Sequence, residues 1–199
     1  ARNKALDVAN GEWVGFLDGV DLFRSNTLEI CHSAIEFSPE ADCIRFMMKE
    51  FNEDSYCSWP EVEEQLEFGL FEYTNKISLD TYNGIFWERV YRASMIRDVR
   101  FLPFCVGEDQ VWLMEVMDRT SMMIKVNRLC YGYRQRSTSI THQGRLPKIV
   151  DSEIRYAAAV LKIMAHSKKK YHKSLFRLYC NFEVEYVAYS LLSLPKNEF

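Results

Sequence analysis

The sequence has 199 residues, of which 48% are hydrophobic and 27% are charged, and its formal net charge is −3. This size and apolar content predict a globular chain with one good core. The near-neutral balance gives no reason to expect a nucleic acid as partner. No run reaches the roughly 20 apolar residues of a membrane span, and no signal peptide is recognisable, so we expect a cytoplasmic protein.

The six cysteines are scattered along the chain, without a CxxC pair and without a histidine at metal-ligand spacing. Such spacing is typical of buried or free thiols in a reducing compartment, and we interpret these residues as structural. They are Cys31, Cys43, Cys57, Cys105, Cys130 and Cys180.

The chain begins inside a helical pattern, Ala1-Arg2-Asn3-Lys4-Ala5-Leu6, with no capping residue before it. Residues 1–9 are predicted to form a short helix that Asn10-Gly11 ends. Because the pattern is entered in its middle, we expect native residues to precede Ala1.

A predicted strand at 12–17 ends directly at two carboxylates, Asp18 and Asp21. Its almost wholly apolar run predicts a strand covered on both faces in a mainly parallel sheet. Ligands of open α/β sheets bind at the carboxyl ends of strands, where oxygen ligands can hold Mg²⁺ or Mn²⁺ beside a diphosphate. Two solvated acids that cap the next helix explain the same pattern on the residues alone.

A second acidic pair, Glu108-Asp109, opens a predicted helix at 110–119. Acids there suit the positive end of the helix dipole, and one of them can also serve as a general base toward an acceptor hydroxyl. Both interpretations stay open. The other predicted elements are a helix at 27–35 capped by Ser25, a strand at 41–50, an acidic loop at 52–64, a helix or helix-turn at 84–97, and strands at 122–126 and 129–134.

A basic and aromatic strand end precedes the Ser137-Thr138-Ser139 loop. Side chains of this kind can meet phosphates or sugar rings, although an ordinary solvated edge accounts for them equally well. The residues are Tyr131, Tyr133, Arg134 and Arg136.

From Pro147 the pattern is helical to the end, with helices predicted at 149–165 and 175–194 around Lys168–Lys170. The charge also changes, since residues 1–150 carry a net −6 and residues 151–199 a net +3. The basic stretch 162–177 predicts either an amphipathic contact with anionic lipid or, as the favoured alternative, a solvated helix whose apolar side packs on the domain.

The order of these pieces resembles family 2 glycosyltransferases of the GT-A type. The Arg2-Asn3 helix, the Ala9–Glu12 turn and the Phe16-Leu17-Asp18 strand end are similar to the family's ARN, A-x-G-E and FLDxDD stretch. The later landmarks, which look like W-x-K-L-Y-R, I-R-F, ED and Y-x-Y-R, follow in the same order. They are Trp87–Arg92, Val99–Phe101, Gly107–Asp109 and Tyr131–Arg134.

The resemblance implies an α/β fold, a partial GT-A-like mixed sheet flanked by helices with a C-terminal helical region. Residues 1–146 would be the later part of the glycosyltransferase domain and 147–199 the helical region. The implied enzyme is an inverting hexosyltransferase of polysaccharide biosynthesis, at the inner face of the membrane. It would move a sugar from a nucleotide-diphosphate sugar, with a UDP-sugar expected first, to a glycan or lipid-linked acceptor.

Carried over by position, the resemblance also implies site residues. Arg2 would lie near the donor nucleotide, and Asp18 would contact the donor ribose or the cation-bound diphosphate. Asp109 would be the catalytic base, supported by Glu108. Trp87 would lie near the acceptor, where an aromatic face can stack on a sugar ring.

The family's usual metal-ligating acid is replaced by Val20. Asp18 and Asp21 therefore remain as the predicted ligands of Mn²⁺ or Mg²⁺, with weak or metal-independent donor binding as the alternative. The family's first strands would precede Ala1, so we expect these 199 residues alone to be inactive or barely active. The competing classes are a non-catalytic GT-A-like binding or scaffolding module and a metal-dependent hydrolase that uses the same acids together with Asp109.

Overall fold

The computed structural model describes residues 1–60, 65–72, 76–77, 85–103, 107–137, 147–167 and 170–171. Five helices and eight strands are assigned within these ranges. In chain order they are α1 (Arg2–Val8), β1 (Trp13–Gly15), β2 (Leu22–Phe23), α2 (Thr27–Phe37), β3 (Cys43–Asn52), β4 (Phe68–Glu72), β5 (Lys76–Ile77), β6 (Arg89–Arg92), α3 (Ala93–Ile96), α4 (Glu108–Arg119), β7 (Met122–Gln135), α5 (Pro147–His166) and β8 (Lys170–Tyr171).

Six of the described strands form one mixed sheet in the order β1-β6-β3-β7-β2, with β4 also paired to β7. Strands β3 and β7 run parallel, whereas β6 runs antiparallel to both β1 and β3. The predicted mixed sheet with flanking helices is therefore confirmed. The expectation of a mainly parallel sheet that covers both faces of β1 is wrong. Strand β1 pairs antiparallel with β6, and its side chains are only half-buried or exposed.

The helix or helix-turn predicted at 84–97 is instead strand β6 followed by the single turn of α3. Tyr91 is fully buried in the sheet, where it is the register partner of both Val14 and Cys43. The apolar spacing of this segment suits a helix, but its hydrogen bonds go to two neighbouring strands. Tertiary pairing therefore overrides the local pattern.

The two strands predicted at 122–126 and 129–134 are one continuous strand, β7. The predicted break falls at Asn127 and Arg128. The Asn127 side chain instead accepts a hydrogen bond from the Glu67 backbone nitrogen at 2.8 Å and donates one to the Gln65 carbonyl at 3.0 Å. This polar residue therefore fastens a neighbouring segment to the strand rather than ending it.

The predicted helices at 1–9, 27–35 and 110–119 and the strand at 41–50 are all confirmed within a few residues. Ser25 is not the cap of α2, because Asn26 holds that position without a capping side-chain hydrogen bond. In the predicted helical tail, α5 is followed by the short strand β8, which pairs with β5. The helix predicted at 175–194 lies outside the described residues.

The predicted structural cysteines are buried free thiols where the structure describes them. Burial raises the pKa of Cys31 to about 11 and the pKa values of Cys43 and Cys130 to about 12. Such thiols are poor nucleophiles at neutral pH. Cys105 and Cys180 lie outside the described residues.

An aromatic core connects the end of β1 to helix α4. The ring of Phe16 meets those of Phe86, Phe101 and Trp112 edge to face, with centroid distances of 5.2, 5.7 and 5.3 Å. Trp112 belongs to α4 and is fully buried. Edge-to-face contacts of this kind have a defined geometry. The core therefore holds the strand end that carries Asp18 against the helix that begins with Glu108 and Asp109.

Candidate active site

The guanidinium of Arg2 joins the two acidic pairs that the sequence singled out. It donates to Glu108 Oε1 at 2.7 Å and to Asp18 Oδ1 at 3.4 Å. Its Cζ lies 4.8 Å from the ring centroid of Phe86 and 5.4 Å from that of Phe101. Three predicted site residues, separated by up to 106 positions, therefore form one cluster over an aromatic floor.

Helix α1 is fixed beside this cluster by Asn3, which the sequence analysis did not select. Its side-chain nitrogen donates to the Phe101 carbonyl at 2.8 Å, and its side-chain oxygen accepts from the Phe101 backbone nitrogen at 2.8 Å. The Asn3 side-chain amide thus forms hydrogen bonds with both backbone polar groups of Phe101. The only signal in the sequence is that Asn3 follows Arg2, and its partner lies 98 residues away.

Asp109 stands in the first turn of α4, next to Glu108. Its Oδ1 accepts a hydrogen bond from the Gln110 backbone nitrogen at 2.8 Å. Burial raises the pKa of Asp109, and the neighbouring charge of Glu108 raises it further. A carboxylate with a raised pKa is a better proton acceptor near neutral pH than an ordinary aspartate.

The start of α4 is braced by helix α5. Gly107, which precedes Glu108, has a φ of 82°, and a Cβ at this position would lie 2.8 Å from Cδ2 of Tyr156. The Tyr156 hydroxyl donates to Gln110 Oε1 at 2.7 Å. Tyr156 therefore packs against the turn before the acidic pair and bonds to the residue after it, and neither role was apparent from the sequence.

Asp21 is turned into the protein, with 6% of its surface exposed. Its Oδ2 accepts from the Tyr131 hydroxyl at 2.7 Å, and its Oδ1 accepts from the Arg134 backbone nitrogen at 2.9 Å. The Asp18 backbone nitrogen donates to the same Tyr131 hydroxyl at 3.3 Å. Tyr131 thus fixes the turn between the two acids, and the Asp18 side chain, which is 41% exposed, is the one that faces the cluster.

Arg134 also serves this turn rather than the open surface. Its Nε donates to the Val20 carbonyl at 2.8 Å, and its guanidinium donates to the Glu53 carbonyl at 3.0 Å. The same group lies 4.6 Å from the ring centroid of Phe51. These donors of Arg134 are therefore used by backbone carbonyls, which argues against the hypothesis that Arg134 binds phosphate or sugar. Arg136, in contrast, is exposed.

Trp87 is 8% exposed. Its ring stacks on those of Tyr131 and Tyr133, with centroid distances of 4.3 and 5.0 Å and interplanar angles of 26° and 13°. Little of its face is open to a sugar ring. Trp87 thus supports the aromatic side of the Asp18–Asp21 turn, and its predicted acceptor contact stays a prediction.

The described residues contain no group of three or more His, Cys, Asp or Glu side chains placed to hold a metal ion. Asp21 already accepts a hydrogen bond at each oxygen, and Asp18 lies beside the Arg2 cation. These two residues fit a resident Mn²⁺ or Mg²⁺ poorly. Metal binding at Asp18 and Asp21 stays a prediction, and no step proposed below depends on it.

Solved structures of S. aureus TarS share this fold. TarS 1–349 in complex with UDP-GlcNAc aligns with a TM-score of 0.63 at 19% identity, covering 85% of this chain and 47% of that one. The UDP complex of the same fragment gives 0.57 at 18% identity, with coverages of 85% and 45%. A longer TarS structure gives 0.55 at 15% identity, covering 99% of this chain and 31% of that one.

The chain therefore has a mixed α/β fold that resembles the fold of TarS 1–349. It spans about half the length of the TarS 1–349 structures. No protein-family model matches the sequence, and no curated protein matches it either. Within the part of the chain that is described, no helix has both the length and the apolar character needed to cross a bilayer.

Proposed function

We propose that this chain is part of an inverting, family 2-like glycosyltransferase. It transfers a hexose from a nucleotide-diphosphate sugar to a glycan or lipid-linked acceptor in polysaccharide biosynthesis. The observation that carries the proposal is the Arg2 bridge, which brings a donor-side acid, Asp18, together with the acidic pair of α4. The UDP-GlcNAc and UDP complexes of TarS, which has a similar fold, favour a UDP-sugar as donor.

On the donor side, the chemistry requires compensation of the charge that develops on the leaving diphosphate. Arg2 is a permanent cation that is only half-buried, and hydrogen bonds from a guanidinium to phosphate are strong and directional. Asp18, in the turn that follows β1, is proposed to accept hydrogen bonds from the donor ribose. If a Mn²⁺ or Mg²⁺ takes part, Asp18 is the ligand with an exposed carboxylate.

On the acceptor side, Asp109 is the proposed base. An acceptor hydroxyl gives its proton to Asp109 Oδ2 while its oxygen forms a bond to the anomeric carbon of the donor sugar. The bond between that carbon and the phosphate oxygen breaks, and its electron pair leaves with the nucleoside diphosphate. Attack opposite the leaving group inverts the anomeric configuration. Trp87 is proposed to contribute to acceptor binding through the half-buried Tyr133 on which it stacks.

The first prediction concerns Arg2→Lys. Lysine retains the charge but cannot reach Glu108 and Asp18 together through a planar fork. A hydrogen bond to a charged group contributes about 1.5–3 kcal/mol, so the Kd for UDP should rise about tenfold or more. Calorimetry on the longest native form that contains this sequence measures it. Arg100→Lys, which alters an exposed ion pair with Asp7, is the matched control, and equal UDP binding by the two variants would contradict the donor role.

The second prediction concerns Glu108→Gln. Burial and the Glu108 charge both raise the pKa of Asp109, so removing that charge should lower this pKa. The base must be deprotonated to act, and the rate therefore rises with pH through its pKa. The acid limb of kcat/KM should move to lower pH, whereas Glu115→Gln, on the same helix, should leave it in place. An acid limb that stays or moves upward would exclude this coupling.

A second candidate function is a non-catalytic binding module of the same fold. The inward-facing Asp21 beside Val20 favours it, because a donor cation would then lack a second exposed carboxylate. Such a module would bind nucleotide or glycan without turnover. Contact with the inner membrane face through 162–177 also stays a proposal, since half of that segment lies outside the described residues.

A further inference from the structure

A groove lined mostly by polar and charged residues lies where the parallel strands β3 and β7 end together. It consists of two adjoining cavities of about 510 and 300 Å³, which share Asn52, Ser55 and Gln135 as lining residues. Arg136 lines the larger cavity and Tyr56 the smaller one. These volumes are within or close to the usual range of ligand sites. None of the residues proposed above for donor binding or catalysis lines this groove.

Two amide side chains stand at the junction of the cavities. Asn52 and Gln135 are register partners in the parallel β3–β7 pair, so their side chains project from the same face of the sheet. Each primary amide offers both donors and an acceptor. A pair of neutral amides side by side matches the alternating donor and acceptor character of sugar hydroxyls.

Tyr56 supplies an aromatic surface at the same place, with 87% of its surface exposed. The turn that carries it is closed by two hydrogen bonds, because the backbone nitrogen and the hydroxyl of Ser55 both donate to the Asn52 carbonyl, at 3.0 and 2.8 Å. The Lys49 ammonium donates to the Ser58 carbonyl beyond it at 2.6 Å. An exposed aromatic ring on a fixed turn is suited to pack against the apolar face of a sugar ring.

The charges of the groove do not favour a polyanion. Glu50, Glu53 and Asp54 face Lys49 and Arg136 along its two cavities, so acids outnumber bases. The Glu53 carboxylate accepts a hydrogen bond from the Ser137 hydroxyl at 3.1 Å, which ties the two walls together. A ligand that is neutral and rich in hydroxyls fits this lining better than a chain of phosphates or sulfates.

The groove is also connected to the candidate active site. Arg134 follows Tyr133 on β7, donates from its backbone nitrogen to the Asp21 carboxylate, and donates from its guanidinium to the Glu53 carbonyl. Arg134 therefore contacts both the Asp18–Asp21 turn and Glu53, which lines the groove. We propose that the groove is a subsite for a neutral oligosaccharide segment of the acceptor, an inference that rests on the proposed glycosyl transfer.

The test is saturation-transfer NMR of the 199-residue chain with neutral tetrasaccharides of glucose, galactose and N-acetylglucosamine, and with a sulfated tetrasaccharide for comparison. At least one neutral sugar should show transfer to its ring protons and bind more tightly than the sulfated one. Tyr56→Ala should weaken that binding about 2–10-fold, given about 0.5–1.5 kcal/mol for an aromatic contact. Asn52→Ala with Gln135→Ala should abolish the signal.

The matched control is His32→Ala with Glu36→Ala, an exposed pair on α2 away from the groove, which should bind as the parent does. Absence of transfer to every neutral sugar, preference for the sulfated one, or unchanged binding by the groove variants would overturn the proposal. UDP binding, measured in parallel on the longest native form, separates the two claims. UDP binding without sugar binding would contradict the groove proposal alone. Absence of UDP binding would contradict the proposed function.

Discussion

Replacing Asp109 with Asn should lower kcat by about 10²–10⁴-fold, the usual contribution of a general base. The amide cannot accept the acceptor's proton at neutral pH, although its shape is almost unchanged. Asp109 also makes one hydrogen bond to its own helix, from the Gln110 backbone nitrogen, which an amide oxygen can retain. The loss is measured as the rate of sugar transfer to the acceptor by the longest native form that contains this sequence, with nucleotide release as the readout.

The Kd for UDP should remain unchanged in the Asp109→Asn variant, because the donor contacts are assigned to Arg2 and Asp18. Asp151→Asn, an exposed aspartate on α5 that pairs with Arg155, is the matched control and should leave kcat at the parent value. A variant that keeps its transfer rate would remove Asp109 from the mechanism. Parallel loss of UDP binding would instead indicate damage to the fold.

Replacing Gly107 with Ala should lower the free energy of unfolding by about 2–5 kcal/mol, because two separate costs add. The backbone there has a φ of 82°, a conformation that residues with a side chain rarely adopt. The new methyl would also lie 2.8 Å from Cδ2 and 2.9 Å from Cγ of Tyr156. The change is measured by urea denaturation of the chain, with circular dichroism as the probe of unfolding.

Gly19→Ala is the control for this substitution. No atom lies within 4 Å of a Cβ built at Gly19, and its φ is not in the left-handed region, so its effect should stay within about 0.5 kcal/mol. Combining Gly107→Ala with Tyr156→Ala separates crowding from backbone strain. Equal stability of the two glycine variants would show that α5 does not brace the start of α4.

The sequence was sufficient for elements whose local pattern and tertiary role agree. Helix α2 buries one face at helical spacing, α4 begins at its acidic pair and carries a mostly buried apolar run, and β3 brings the apolar residues Cys43, Ile44 and Phe46 into the sheet. The sequence was not sufficient where pairing with distant strands determines the secondary structure. Trp87–Arg92 has helix-compatible spacing, yet β6 lies between β1 and β3. The break predicted between residues 126 and 129 is wrong because Asn127 binds Gln65 and Glu67, which are 60 residues away or more and which no local pattern indicates.

For the candidate site, the motif order selected Arg2, Asp18, Glu108 and Asp109, and the structure places the first three in direct contact. What the pattern could not indicate is which acid faces inward. The burial of Asp21 is set by the Tyr131 hydroxyl, 110 positions away. Similarly, the left-handed turn at Gly107 and its contact with Tyr156 depend on how α5 packs, which no local spacing encodes.

The central claim is a nucleotide-sugar site at the Arg2–Asp18 cluster, and calorimetric titration with UDP tests it most directly. The titration should use the longest native form that contains this sequence, with and without Mn²⁺, and compare the parent with Asp18→Ala. The account predicts saturable UDP binding that Asp18→Ala weakens severely. Absence of binding to UDP and to other nucleoside diphosphates, or binding that Asp18→Ala leaves unchanged, would contradict it.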